Sequence, residues 1–288
     1  MKQRDRSEGW KYAKLSGHAF EEKFIREVIK EDSEIHQALQ KTLLRHGISE
    51  NLVSAEDIGT TKMESIFGGR KTSAKADCTL YLEDGREVGI SLKKPSTRGG
   101  QLHLTSLERF VNCFTHYGHP IPHEAYWALR AFTGETNGIP ISQFAPRGSF
   151  TGPRISRYDT LAEIHQNRLY ASTLMKYYEE EWNALEHWFS SNMKLLTEIA
   201  FSRGYCSDTS GYVDFIFYGC NNLFLSIDEL TQLAAKETIK PSSNGYYAGS
   251  TILMPWGFLQ VHRPGRKNGP YQLQFHHQLD AILRSKAN

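Results

Sequence analysis

Asp77-Cys-Thr-Leu-Tyr-Leu-Glu-Asp-Gly-Arg-Glu-Val-Gly-Ile-Ser-Leu-Lys93 is the stretch on which the fold turns. Cys78, Leu80 and Leu82 alternate with Asp77, Thr79 and Tyr81, and Val88, Ile90 and Leu92 alternate with Gly89, Ser91 and Lys93. Strict alternation on both sides of Asp84-Gly85 predicts a hairpin of two half-buried strands. A one-residue slip in pairing turns every side chain to the other face, so the loop length decides which residues are neighbours. A two-residue loop at Asp84-Gly85 sets Asp77 opposite Leu92 and buries a carboxylate among apolar side chains, at a cost of several kcal/mol. A three-residue loop, Glu83-Asp84-Gly85 with glycine in the left-handed conformation, sets Asp77 opposite Ser91. The second register puts the apolar residues on one face and Asp77, Ser91 and Lys93 on the other.

A carboxylate and a lysine arranged in this way suit metal-dependent phosphodiester hydrolysis. The carboxylate holds a divalent ion, and the lysine orients water and offsets phosphate charge. The same three side chains also suit the wet face of an ordinary hairpin.

The surroundings supply further candidates. Phe20, Phe24 and Val28, with Ile25 and Ile29, predict an amphipathic helix over Gly17–Lys30, on which Glu22 is a candidate third acid. An acid in a first helical turn is also favoured by the helix dipole alone. A second helix is expected from Ile35 to Arg45, ended by His46-Gly47. The segment Phe67–Lys75 carries Arg70, Lys71 and Lys75 among glycines and runs into Asp77, which suits phosphate contact. Lys94, Arg98 and Gln101 follow the hairpin, where Pro95, Gly99 and Gly100 stop the strand, and their basic and amide side chains suit groove contact with DNA; Leu102–Phe114 reads as a helix. His116, His119 and His123 with Cys113 lack a zinc spacing and lie in a loop with Pro120 and Pro122. Tyr126–Phe132 is an apolar segment, Thr136–Pro153 a loop rich in Gly and Pro, and Tyr158–Phe201 mostly helical. Tyr212–Tyr218 reads as a strand, and Ser226-Ile-Asp-Glu229 as a capping box. Ser250–Pro255, Phe258–His262 and Tyr271–His276 read as strands. Between the last two lies a basic turn with Arg263, Arg266, Lys267 and Asn268, flanked by His262 and by Gln274 at an alternate strand position; these are DNA-contact candidates.

The chain has 288 residues with 34 Lys and Arg against 32 Asp and Glu, a net +2, so a nucleic-acid partner is argued from local clusters and not from the total. Cys78, Cys113, Cys206 and Cys220 show no paired spacing, which suits free thiols in a reducing cytoplasm. No apolar signal region follows the amino end, and no apolar run is long enough to span a bilayer. With no visible linker, one domain is expected over 1–288, with a catalytic core in 1–135 and a second half, 136–288, completing a DNA-binding cleft.

Asp77, Ser91 and Lys93 resemble the PD-(D/E)xK nuclease pattern, with Ser91 where a second acid is usual. Ala13-Lys14 with Gly17, Arg98-Gly99 with Gln101, Leu129-Arg130 with Phe132–Glu135, Leu196–Ile199 with Arg203-Gly204, and Leu273–Phe275 after the basic turn extend the likeness. In this order they resemble the small type II restriction endonucleases that cut four-base G/C sites, the MspI type and the related GCGC cutter. The resemblance implies an α/β fold with a restriction-endonuclease-like mixed central sheet flanked by helices. It also implies Mg2+-dependent, sequence-specific cutting of double-stranded DNA, with Asp77 and Ser91 as metal contacts and Glu22, Lys93 and Ser91 in the chemistry. A restriction enzyme implies a companion DNA methyltransferase; monomer or homodimer stays open. So do two other classes: a homing, repair or structure-specific nuclease on the same core, and a DNA-binding protein that has lost cleavage.

Overall fold

The computed structural model describes residues 6–69, 71–94, 100–134, 168–219, 222–243, 249–262 and 272–279. The chain forms two compact units that interleave in sequence: Met1–Pro95 with Phe201–Glu229, and Ser96–Ala200 with Leu230–Asn288.

In the first unit, α1 spans Arg6–Val28 and α2 spans Glu34–Arg45, where Ser33 caps the helix by accepting from the His36 amide at 3.0 Å. Helix α1 begins earlier than the apolar spacing alone predicts. Strands β1 (Leu52–Asp57), β2 (Lys62–Glu64), β3 (Lys71–Ser73), β4 (Cys78–Leu82) and β5 (Glu87–Lys93) follow. After the second unit's first segment the chain returns as β7 (Phe215–Tyr218) and β8 (Leu223–Ser226). The sheet order is β1-β4-β5-β7-β8; β5 and β7 run parallel and the other pairs antiparallel. The fold class is therefore α/β, built on a mixed sheet. Strands β2 and β3 form a separate pair.

The period-four stripe of α1 explains its docking. Phe24 and Val28, with Leu39 and Leu43 of α2, pack on Cys78, Leu80, Leu82, Val88, Ile90, Phe217 and Phe224. Phe24 and Phe217 lie 4.7 Å apart between ring centroids. Each such side chain contributes roughly 1.5–3 kcal/mol by leaving water.

The hairpin is more enclosed than half-buried strands would be. Thr79 and Ser91, on the polar face, are buried too. The reason is topological: β5 is an interior strand, and the chain before β7 crosses its polar face so closely that a Cβ on Gly89 would overlap the Tyr212 carbonyl oxygen.

The second unit is built on an antiparallel sheet of order β6-β12-β11-β10-β9, with β6 at Gly100–Ser106, β9 at Lys240–Pro241, β10 at Ile252–Met254, β11 at Gly257–His262 and β12 at Gln272–His277. Its helices are α3 (Leu107–His116), α4 (His123–Thr133), α5 (Ala171–Tyr177), α6 (Glu179–Ser191) and α7 (Met193–Glu198). Phe110 stacks on Phe275 at 5.7 Å, and Phe114 meets Trp188 at 4.7 Å. The fully buried Trp256 donates to Thr197 Oγ1 at 3.0 Å. Helix α8 (Ile227–Ala234) opens on the expected capping box: Ser226 Oγ accepts from the Glu229 amide at 3.1 Å, and Glu229 Oε2 accepts from the Ser226 amide at 2.9 Å.

Two expectations are corrected. Leu102–Phe114 is not one helix: Gly100–Ser106 is a strand paired with β12, and the helix begins at Leu107 behind Ser106, whose Oγ accepts from the Arg109 amide. Alternating Gln101, His103 and Thr105 carry a strand period, and pairing with β12 decides the outcome. His116 and His123 are not in a loop but end α3 and begin α4. No helix among the described residues is long and apolar enough to cross a membrane.

Candidate active site

The hairpin has the register of the three-residue loop. Cys78 pairs with Ile90 and Leu80 with Val88, the Leu82 amide donates to the Arg86 carbonyl at 3.0 Å, and Gly85 takes the left-handed conformation at φ 81°. Carried one step past Cys78, that register brings Asp77 to Ser91. Ser91 Oγ donates to Asp77 Oδ2 at 3.0 Å, and the Leu92 amide donates to the same oxygen at 2.6 Å. Lys93 Nζ donates to Ser91 Oγ at 2.7 Å and stands 3.7 Å from Asp77 Oδ2. Ser91, itself buried, thus links the acid and the lysine.

The acid that α1 turns toward this group is Glu21, not Glu22. Burial raises the Glu21 carboxyl, and the negative charges of Asp77 and Asp57 raise it further against the opposing pull of His18, whose Nδ1 lies 3.2 Å from Glu21 Oε2. Glu22 is exposed. The signal for this lay in the helical stripe: Glu21, Phe24 and Val28 follow steps of three and four, whereas Glu22 lies about 100° farther round.

Lys75 also feels the charges of this group. The residue keeps some exposed surface, but its ammonium end is enclosed, and that enclosure lowers its pKa to about 7. The charge of Lys93 lowers it as well, while Asp77 and Cys206 act in the opposite sense. Its stem runs along Gly204, where a Cβ would meet Lys75 Cγ at 3.0 Å and Cε at 3.1 Å.

The donor set suits one hard cation with few protein ligands. Asp77 Oδ1 accepts no hydrogen bond from the described residues, so one carboxylate oxygen is open while the other is held in place. Among the described residues no group of three His, Cys, Asp or Glu comes together to hold a metal ion. Magnesium, which keeps several waters and takes one or two carboxylates plus substrate phosphate, fits this set; an all-protein cage does not.

Of the other candidates, Lys71 is exposed on β3, and Lys94 Nζ lies 5.4 Å over the Phe20 ring. Gln101, Gln274 and His262 come together on neighbouring strands of the second unit's sheet, on β6, β12 and β11. Arg70, Arg98, Arg263, Arg266, Lys267 and Asn268 lie outside the described residues. Gln260 and His276, beside Gln274, were not singled out by the sequence reading, though both sit at alternate positions of strands it expected.

No family model matches the chain, and no curated protein matches it. Among solved structures it is similar to restriction endonuclease MspI in complex with its cognate DNA, with 12% identity and a TM-score of 0.45, over 84% of this chain and 77% of that one.

Proposed function

We propose that this chain is a magnesium-dependent endonuclease that cuts double-stranded DNA at a short specific site, a type II restriction enzyme on a PD-(D/E)xK core. The observation that carries the reading is the hydrogen-bonded line Asp77–Ser91–Lys93 at the open end of one hairpin. Asp77 would hold the cation through its open Oδ1, with the remaining lone pair of Ser91 Oγ as a second, neutral contact. When bound, the ion lowers the pKa of water and offsets charge on the phosphate. Lys93 is aimed by Ser91 and stabilises the charge that develops on the phosphoryl oxygens. Lys75 adds positive charge and Glu21 negative charge that Asp77 feels, and exposed Lys71 is a phosphate contact. A restriction role carries with it a methyltransferase that protects the same site.

One observation favours a second reading, a DNA-binding protein that has lost cleavage: Ser91 is neutral and hydrogen-bonded on both sides. Incubating the protein with supercoiled plasmid of mixed sequence, with magnesium and with EDTA, separates the cases. Discrete magnesium-dependent fragments are expected. Nicking or junction cutting means a repair enzyme, a gel shift in calcium without cutting means a binder, and neither binding nor cutting removes the reading.

A further inference from the structure

We propose that Gln101, Gln260, Gln274 and His276 form a preset hydrogen-bonding platform on one face of the second unit's sheet that reads base edges in the major groove of duplex DNA. The proposal rests on the nuclease reading and names the residues that make it sequence-specific.

The register assembles the platform. Gln260 of β11 is opposite Gln274 of β12, Phe258 is opposite His276, and an irregularity between Phe275 and His276 brings Gln101 of β6 opposite His276. Gln260 Nε2 donates to Gln274 Oε1 at 2.7 Å, and Gln274 Nε2 donates to Gln101 Oε1 at 2.8 Å. Gln260 Nε2 also lies 3.0 Å from His276 Nε2, and His276 stacks on Phe258 at 4.7 Å with an interplanar angle of 4°.

The bonds run in one direction, each glutamine Nε2 donating to the next Oε1, and the opposite direction requires all three amides to turn over together and His276 to donate from Nε2. In this direction Gln260 commits both amide hydrogens, and His276 Nε2 is the acceptor. Turning any one amide over would face donor with donor or acceptor with acceptor. In this direction the groups left unspent are the amide hydrogens of exposed Gln101 at one end and the carbonyl oxygen of Gln260 at the other. Neither makes another hydrogen bond with the described residues. The two ends sit on strands separated by β12, two strand spacings or about 10 Å. That is about three base-pair steps, so they address different pairs of a short site.

Composition argues for DNA over a merely wet sheet face. Strands β6, β11 and β12 contain no Lys, Arg, Asp or Glu, although a face needing only solubility usually carries charges. Carboxylates there would repel phosphates, while amides and imidazoles match base edges. The connection between β11 and β12 supplies Arg263, Arg266 and Lys267 with no acid, the charge complement that a polyanion requires. At that end of β11, His262 Nδ1 is enclosed and has no partner among the described residues.

The test is selection of full-length protein on a randomised duplex library, with binding read in calcium and cutting mapped in magnesium. The wild type should yield a short consensus. Gln101→Glu keeps an oxygen for Gln274 but replaces the outward donor by an acceptor. It should therefore change the preferred base at one position from one presenting an acceptor to one presenting a donor. Gln260→Met should relax discrimination elsewhere in the site by roughly 5- to 150-fold, with the slope of log affinity against log salt unchanged. Both variants keeping the wild-type consensus and ratios, with native circular dichroism, overturns the platform. Wild type that cuts duplex without preference also overturns it and leaves the nuclease reading standing. Wild type that neither binds nor cuts overturns both.

Discussion

Ser91 donates its hydroxyl hydrogen to Asp77 at 3.0 Å from the opposite strand, and this bond exists only because the hairpin loop has three residues. One residue fewer in the loop would turn Ser91 toward the apolar core and leave Asp77 facing Leu92. The chemistry of the site is thus set by the turn at Glu83–Gly85, several residues from either side chain.

Removing each member of that line should have a distinct effect. Asp77→Ala should lower magnesium-dependent cutting by at least about a hundredfold, since it removes the open carboxylate oxygen. Lys93→Ala should lose cutting but still bind duplex in calcium. Ser91→Ala should cost less than Asp77→Ala, and Ser91→Asp should lower the magnesium concentration for half-maximal rate. Single-turnover rates and a calcium gel shift measure all four; near-normal cutting by Asp77→Ala or Lys93→Ala removes the site.

The two neighbouring acids on α1 give a comparison with an internal control. Glu21 feels the charge of Asp77, and Glu22 is exposed. Glu21→Gln should shift the magnesium dependence of the rate, whereas Glu22→Gln should leave it within about twofold. Equal effects from the two would show that helix α1 takes no part.

How much of this was legible in advance depended on whether the information was local. The register of the hairpin followed from alternation and one glycine, and the capping box at Ser226 from four residues. Strand β1 and the strand character of Gly100–Ser106 did not, because each owes its state to a partner distant in sequence, β4 for β1 and β12 for β6, and β8 is only four residues long. Asp77, Ser91 and Lys93 were visible since a strand period places them. Glu21 is not legible from local acidity, which Glu22 shares; only its spacing from Phe24 and Val28 along α1, which begins at Arg6, sets the two acids apart. Enclosure of Lys75 depends on Gly204, 129 positions away, and no local pattern announces it.

Two glycines should fail for different reasons. Gly89→Ala drives a Cβ into the Tyr212 carbonyl, backbone against backbone, and should cost about 1–3 kcal/mol or more. Gly85→Ala meets no atom within 4 Å but must adopt φ near 81°, at a cost of about 1–2 kcal/mol. Urea unfolding measures both. A Gly89→Ala variant as stable as the wild type would mean the Tyr212 segment can move off β5.

The last prediction concerns pH and uses Lys75. Enclosure disfavours its charged form, taking the pKa from 10.5 to about 7 in the folded chain. Between those values the unfolded chain holds a proton at this residue that the folded chain does not, so stability rises with pH across that interval. Below pH 7 both states are protonated and the penalty for an enclosed ammonium is full and constant; above 10.5 both are neutral and it vanishes. Lys75→Met keeps much of the stem that lies along Gly204 and removes the titration. Its stability relative to wild type should therefore be highest near pH 7 and should fall steadily as pH is raised toward 10. Urea midpoints of both proteins at pH 6, 7, 8.5 and 10 measure the difference, with magnesium and DNA absent so that no bound charge resets the lysine. A difference that stays flat over that range would mean that the ammonium reaches water, and the positive charge beside Asp77 would then be solvated and not held by the fold.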